Sequence, residues 1–182
     1  PPGAGKTTVA AQLAFERLQN TAFRPRFIQI AQKGFVTHSQ LKGYAKLLNS
    51  EFRCLSLNDE QEISHTDIID CDLSEHSTII EAFERVTVQN TQGRITPIMV
   101  IPGTWSVAAI KQYSLIFKAL APAVILTHMN IGGIAISGLS ALAEAGVKLI
   151  AANDTSKITD GLILVDIAST EQFLKETFTA SA

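Results

Sequence analysis

The stretch PPGAGKTT, Pro1 to Thr8, decides the fold, because an amphipathic segment, Lys6–Gln19, grows directly out of it. Gly5, Lys6 and Thr7 supply the end of the pattern G-x-x-x-x-G-K-[ST], whose first glycine would fall just before Pro1. Gly3 and Gly5 let the backbone approach phosphate oxygens in conformations that a Cβ would forbid. The N–H groups of such a loop make an anion nest, and the helix behind it adds its positive end. Pro2, Gly3, Ala4, Gly5, Lys6, Thr7 and Thr8 are therefore expected around a nucleotide's phosphates. Lys6 would reach the β- and γ-phosphates, and the Thr7 hydroxyl would serve Mg2+. The loop specifies phosphate and Mg2+ but not the base. Because the chain begins inside this motif, it reads as an N-terminally truncated fragment.

Outward from the loop, short apolar runs alternate with helical periodicity. In the Lys6–Gln19 helix, Val9, Ala10, Leu13, Ala14 and Leu18 share one side. Strands are expected at Pro25–Ala31, Phe52–Leu57, Asp67–Asp70, Pro97–Ile101, Ala123–Thr127 and Val147–Ala151. Helices are expected at Thr37–Asn49, His76–Gln89, Trp105–Leu120, Ile134–Ala145 and Thr170–Thr177. Asn58–Thr66 reads as a polar surface loop. Strands alternating with helices make βαβ units, and near-continuous apolar strands fit burial on both faces. The expected fold is α/β, a three-layer α/β/α P-loop NTPase with a mainly parallel sheet. No repeat or linker divides the chain, so residues 1–182 read as one domain.

Composition is consistent with this. The chain has 182 residues, 46% hydrophobic and 18% charged, the profile of a globular domain. No apolar run approaches the roughly 20 residues that span a bilayer, and no signal peptide is visible. The net charge of -2 gives no general support for a nucleic-acid partner. Its distribution is uneven: the first 53 residues carry eight Lys/Arg and two acids, the remainder seven and fifteen. A basic first third suits phosphates, an acidic partner or a membrane surface, and equally ordinary solvated charge. Cys54 and Cys71 form no CxxC, which fits a reducing compartment without a disulfide. His38, His65, His76 and His128 lack metal-ligand spacing.

A longer pattern narrows the choice. Phe27–Leu48, FIQIAQKGFVTHSQLKGYAKLL, resembles without a gap the stretch LITTDTYRxxAxEQLxxYAxxL of the signal-recognition-particle GTPases. Further likenesses follow in order: Asp67–Ser74 (DIIDCDLS) with DTAGR, Ile98–Thr104 (IMVIPGT) with LVLSAT, and Ile125–Asn130 (ILTHMN) with ILTKLD. Gly138–Val147 (GLSALAEAGV) is similar to the helix before that family's last core strand, and Ser156–Leu162 (SKITDGL) to its closing QxVPEDI. The last third is most similar to the flagellar-type members, FlhF. The resemblance implies a domain that binds GTP and Mg2+ and pairs with a second such GTPase as a homo- or heterodimer. It also implies a role in protein targeting to the membrane or flagellar pole, in the cytoplasm or at the periphery of the inner membrane. Gln40, Asp70, Thr127 and Asn130 join the loop residues as expected nucleotide contacts, with Thr7 and Asp70 serving the metal.

The departures bear on catalysis. The family's Asp and Arg in the second segment, which help hold the γ-phosphate, are Ala31 and Gly34 here. Ala31 cannot orient a water, and Gly34 has no cation to offer transferring phosphate. Leu73 stands for a glycine and would be strained wherever positive φ is required; Ser74 stands for an arginine. Asn130 replaces the Asp that accepts from both guanine N1–H and the exocyclic amine. An amide presents one acceptor and one donor. The mismatch costs about 1–3 kcal/mol if buried, or about 10- to 150-fold in affinity. His128 replaces the Lys that would cover the base. Weak or absent hydrolysis is therefore expected. Two alternatives stay open: a P-loop ATPase or kinase with relaxed base choice, and a degenerate scaffold that does not hydrolyse.

Remaining constellations read as structure. Thr37-His38-Ser39 has no carboxylate at triad spacing, and Ser39 is expected to face solvent on a helix. Trp105 is expected to pack the start of a helix. Asp154, Thr155 and Ser156 match the family's last nucleotide loop in position only. Glu75 should sit near the positive end of a helix.

Overall fold

A computed structural model describes residues 3–21, 23–31, 39–60, 62–90, 93, 95–131, 134, 136–166, 168 and 171. The chain forms two compact units. One runs up to Pro97 and includes Ser156–Gly161; the other comprises Ile98–Thr155 and the chain from Leu162 on.

In the first unit, three parallel strands lie in the order β2 (Phe52–Leu55), β1 (Phe27–Ala31), β3 (Ile68–Asp72). Every residue of the central strand β1 is buried. Successive strand side chains alternate between faces, and the two faces carry different cores. Phe27 packs with Ala10 and Ala14 of α1 (Lys6–Thr21) and Leu41 and Ala45 of α2 (Gln40–Leu47). Ile28 and Ile30 pack with Ala82 and Val86 of α3 (His76–Gln89). The unit is thus three layers, with helices on both faces of a parallel sheet.

Two polar devices pin this unit. Gln12 is fully buried, although helical periodicity assigns it to the solvent side, and its amide donates to the Lys157 carbonyl at 3.0 Å. Arg26 donates from two nitrogens to Asp67, at 2.9 and 2.6 Å, and to the Glu62 carbonyl. That fork holds down part of the segment expected to be a plain surface loop, and Ile63 within it is buried.

In the second unit, β4 (Ile98–Pro102), β5 (Ala123–Thr127) and β6 (Lys148–Ala152) are parallel, and β7 (Ile163–Leu164) closes the edge antiparallel to β6. Helices α4 (Val107–Phe117) and α5 (Ile136–Ala145) pack where Gly138 approaches Ile110 and Ile134.

The other expected elements are present, several with shifted ends, and of the helix expected at 170–177 only Glu171 lies among the described residues. β2 stops at Leu55, whereas β3 runs two residues past Asp70. Ser39 is corrected from a solvent-facing helical residue to the N-cap of α2, where its side chain accepts from the Lys42 N–H. Trp105 precedes α4 and stacks edge-on with Tyr113 at 5.2 Å, while Ser106 caps the helix. Glu75 is the N-cap residue of α3. No described helix is long and apolar enough to cross a membrane.

Candidate nucleotide-phosphate and cation site

The loop at the start of α1 has the backbone that its sequence demands. Gly3 and Gly5 lie at φ +72° and +82°, the left-handed region that strains an L side chain. Ala4 between them is buried. The first turn of α1 closes with Val9 N–H on the Gly5 carbonyl at 2.9 Å, leaving the preceding N–H groups at the helix's positive end.

Thr7, in that first turn, donates its hydroxyl to Asp70 Oδ2 of β3 at 2.8 Å, across 63 residues of sequence. With its proton directed at the carboxylate, Oγ1 keeps its lone pairs for a hard cation. Asp70 is 4% exposed. Burial pushes its carboxyl above the ordinary range, the Thr7 bond and the Lys6 charge pull it back, and Asp72 raises it further. A buried carboxylate tied to a hydroxyl beside a glycine-shaped loop is a set of oxygen donors that fits a hard cation such as Mg2+. When bound, that ion would screen phosphate charge; Thr7 would hold it directly, and Asp70 through its water. The other described residues hold no cluster of three metal-ligating side chains.

Two further expected contacts, Thr8 and Gln40, are placed in the same unit. Thr8 follows Thr7 in α1, half-buried. Pro2 lies outside the described residues, as does Gly34. Gln40 is exposed at the start of α2, with its amide on the Tyr44 hydroxyl at 2.9 Å.

Thr127 and Asn130 belong to the second unit. Thr127 ends β5, buried, its hydroxyl 3.5 Å from the Ile101 carbonyl. Asn130 is exposed in the 3-10 turn Met129–Ile131. That turn follows His128 at φ +57° and is anchored by Met129 N–H on the Asn153 carbonyl. Asn153 is itself buried; its N–H bonds Leu126, and its side chain accepts from Thr155 N–H at 2.7 Å. Sequence reading picked out residues 154–156 and missed Asn153, whose side chain holds the Thr155 N–H.

The expected strain at Leu73 is absent. Among the described non-glycine residues, positive φ occurs only at Asn49, Ala121 and His128. Leu73 packs its side chain onto the Ile28–Ile30 core. Ala31 ends β1, buried and directly in register with Asp72 of β3.

No protein-family model and no curated protein matches the chain. Solved structures do. FlhF complexed with GMPPNP/Mg2+ superposes with a TM-score of 0.71 at 18% identity, covering 96% of this chain and 70% of that one. FlhF complexed with GTP/Mg2+ gives 0.68 at 17%, covering 91% and 67%. The fold is that of the signal-recognition-type GTPases. FtsY from Thermotoga maritima extends the likeness, with a TM-score of 0.60 at 19% identity over 91% of this chain and 62% of its own. An SRP-type GTPase fold thus agrees with the likeness that the segments from Phe27 to Leu162 carry in sequence.

Proposed function

We propose that residues 1–182 are the nucleotide-binding domain of a FlhF-like signal-recognition-type GTPase that binds GTP with Mg2+. The observation that carries this reading is the Thr7–Asp70 hydrogen bond beneath a loop whose two glycines adopt left-handed φ. The bond satisfies a buried carboxylate and at the same time sets a hydroxyl and a carboxylate, both ligands for a hard cation, beside the phosphate loop. The FlhF complexes with GTP/Mg2+ and GMPPNP/Mg2+ support the same ligand here.

The domain acts as a switch in protein targeting to the membrane or flagellar pole. It works in the cytoplasm or at the inner-membrane periphery, paired with a second GTPase of its type. Its intrinsic hydrolysis is weak. Ala31 offers no side-chain acceptor at the end of β1, and Leu73, packed against the Ile28–Ile30 core, stands where the family has a glycine. Asn130 favours a second reading, an ATP-binding domain with relaxed base choice, because its amide cannot accept twice from guanine.

Titration calorimetry with GTP and with ATP, each with Mg2+, separates the two. Tighter binding of GTP is expected; binding of ATP with GTP silent overturns the guanine assignment. Single-turnover GTP hydrolysis should be slow for the isolated domain, and turnover as fast as that of a recombinant FtsY assayed alongside would contradict the hydrolysis reading.

A further inference from the structure

A polar column runs along the α1 face of the first sheet. Residues two apart on a strand point the same way, and registered neighbours on parallel strands share a face. Asp70 and Asp72 therefore face the same side as their register partners Gln29 and Ala31. The Thr7 bond to Asp70 shows that this side adjoins the phosphate loop.

Gln29 sits in the middle of this column and is incompletely satisfied. It is 7% exposed. Its Nε2 donates to Asp72 Oδ2 at 3.4 Å, and its Oε1 is buried without a hydrogen-bond partner among the described residues. The amide orientation is fixed by chemistry, because the opposite one would set oxygen against carboxylate. A buried orphan acceptor costs roughly a hydrogen bond's worth of desolvation, so a donor is expected there. A second carboxylate lies on the same side. Across from it, Ala31 contributes neither charge nor bulk.

We propose that Asp72 is a second carboxylate of the cation site. It acts through the ion's water shell from the strand position facing Ala31, and Gln29 holds it there. Mg2+ sheds water reluctantly and is commonly held by one or two carboxylates through its hydration shell. Asp70 and Asp72 lie two residues apart, about 6.6 Å along the strand, a spacing that suits two water-mediated contacts. Gln29 Oε1 accepts from a coordinated water, which completes the orphan. This inference rests on the reading of the loop as a nucleotide–Mg2+ site.

The test measures metal binding rather than turnover. Mn2+ serves as the probe, its affinity for the GDP-loaded protein followed by electron paramagnetic resonance, beside GDP binding in EDTA. Asp72→Asn is expected to weaken Mn2+ about tenfold or more, as loss of an outer-shell partner does, with GDP binding in EDTA unchanged. The exchange variant Ala31→Asp/Asp72→Ala moves the carboxylate across the register and should recover most of the affinity, which a merely structural role for Asp72 would not do. Gln29→Met should give an intermediate loss. Wild-type Mn2+ affinity in Asp72→Asn overturns this inference alone. Failure of the wild-type protein to bind GDP at all overturns the underlying reading with it.

Discussion

Replacing Thr7 with Val probes the junction between loop and sheet. Valine keeps the shape and β-branching of threonine, so helix propensity is nearly unchanged. It removes the O–H that meets Asp70 at 2.8 Å. Hydrogen bonds to charged groups contribute about 1.5–3 kcal/mol. With its acceptor 4% exposed, this bond is expected in the middle of that range, ~2 kcal/mol. The carboxylate can relieve part of the loss by taking up a proton, so the figure is a ceiling. For a chain of this size it lowers the melting midpoint by about 4–8 °C. Circular-dichroism melts of wild type, Thr7→Val and Thr7→Ser should show this drop for valine and little change for serine. Saturating GTP–Mg2+ at 100 times Kd should add about 2.7 kcal/mol to the wild type and much less to Thr7→Val. A double-mutant cycle with Asp70→Asn should return a coupling of about 1 kcal/mol or more. A valine variant that melts within a degree of wild type, and gains the same increment from GTP–Mg2+, would refute the reasoning.

Other outcomes follow from single sites. Gly138→Ala should lower the midpoint despite its better helix propensity, because a Cβ there would lie 2.8 Å from Ile134 Cγ1 and 3.1 Å from Ile110 Cδ1; overpacking costs about 1–3 kcal/mol against the ~1 kcal/mol that propensity returns, and a raised midpoint would contradict this packing. Burial, with Asp70 adding to it, pushes the Cys71 thiol up to about 11, so about one molecule in a thousand carries its thiolate at pH 8. Iodoacetamide at pH 8 should spare Cys71 until urea is added, and labelling as fast in the folded protein would exclude that burial. The same shift makes stability fall as pH rises from about 9 to about 11, because the unfolded thiol ionises first. Asn130→Asp should raise the GTP-over-ATP affinity ratio about tenfold or more, by restoring a double acceptor for guanine; an unchanged ratio would remove Asn130 from the base site.

The parts of this structure that local chemistry dictates were legible in the chain. PPGAGKTT requires left-handed glycines and a helix start, and both are present. Apolar runs such as AVILT give the strand Ala123–Thr127 to the residue. What escaped depends on distant partners. Gln12 looks like a surface residue until the Lys157 carbonyl, 145 residues on, arrives to take its amide. The acids at the end of IIDCD resemble the start of a loop, yet β3 continues through Asp72 because β1 supplies a pairing partner up to Ala31. The roles of Gln29 and Asn153 follow from burial, which no periodicity reports for an isolated polar residue. The two-residue strand β7 is too short and too exposed to leave a pattern.

The most direct measurement is equilibrium binding of GTP with Mg2+ to the wild-type protein and to Lys6→Ala. Lys6 begins α1 behind Gly5, and its charge already bears on Asp70. Removing it should leave the fold intact and weaken GTP by about 30-fold or more, the usual cost of truncating one partner of a close charge pair. A wild-type protein silent to millimolar GTP, or a Lys6→Ala variant that binds as tightly as wild type, would contradict the assignment of PPGAGKTT as a nucleotide-phosphate site.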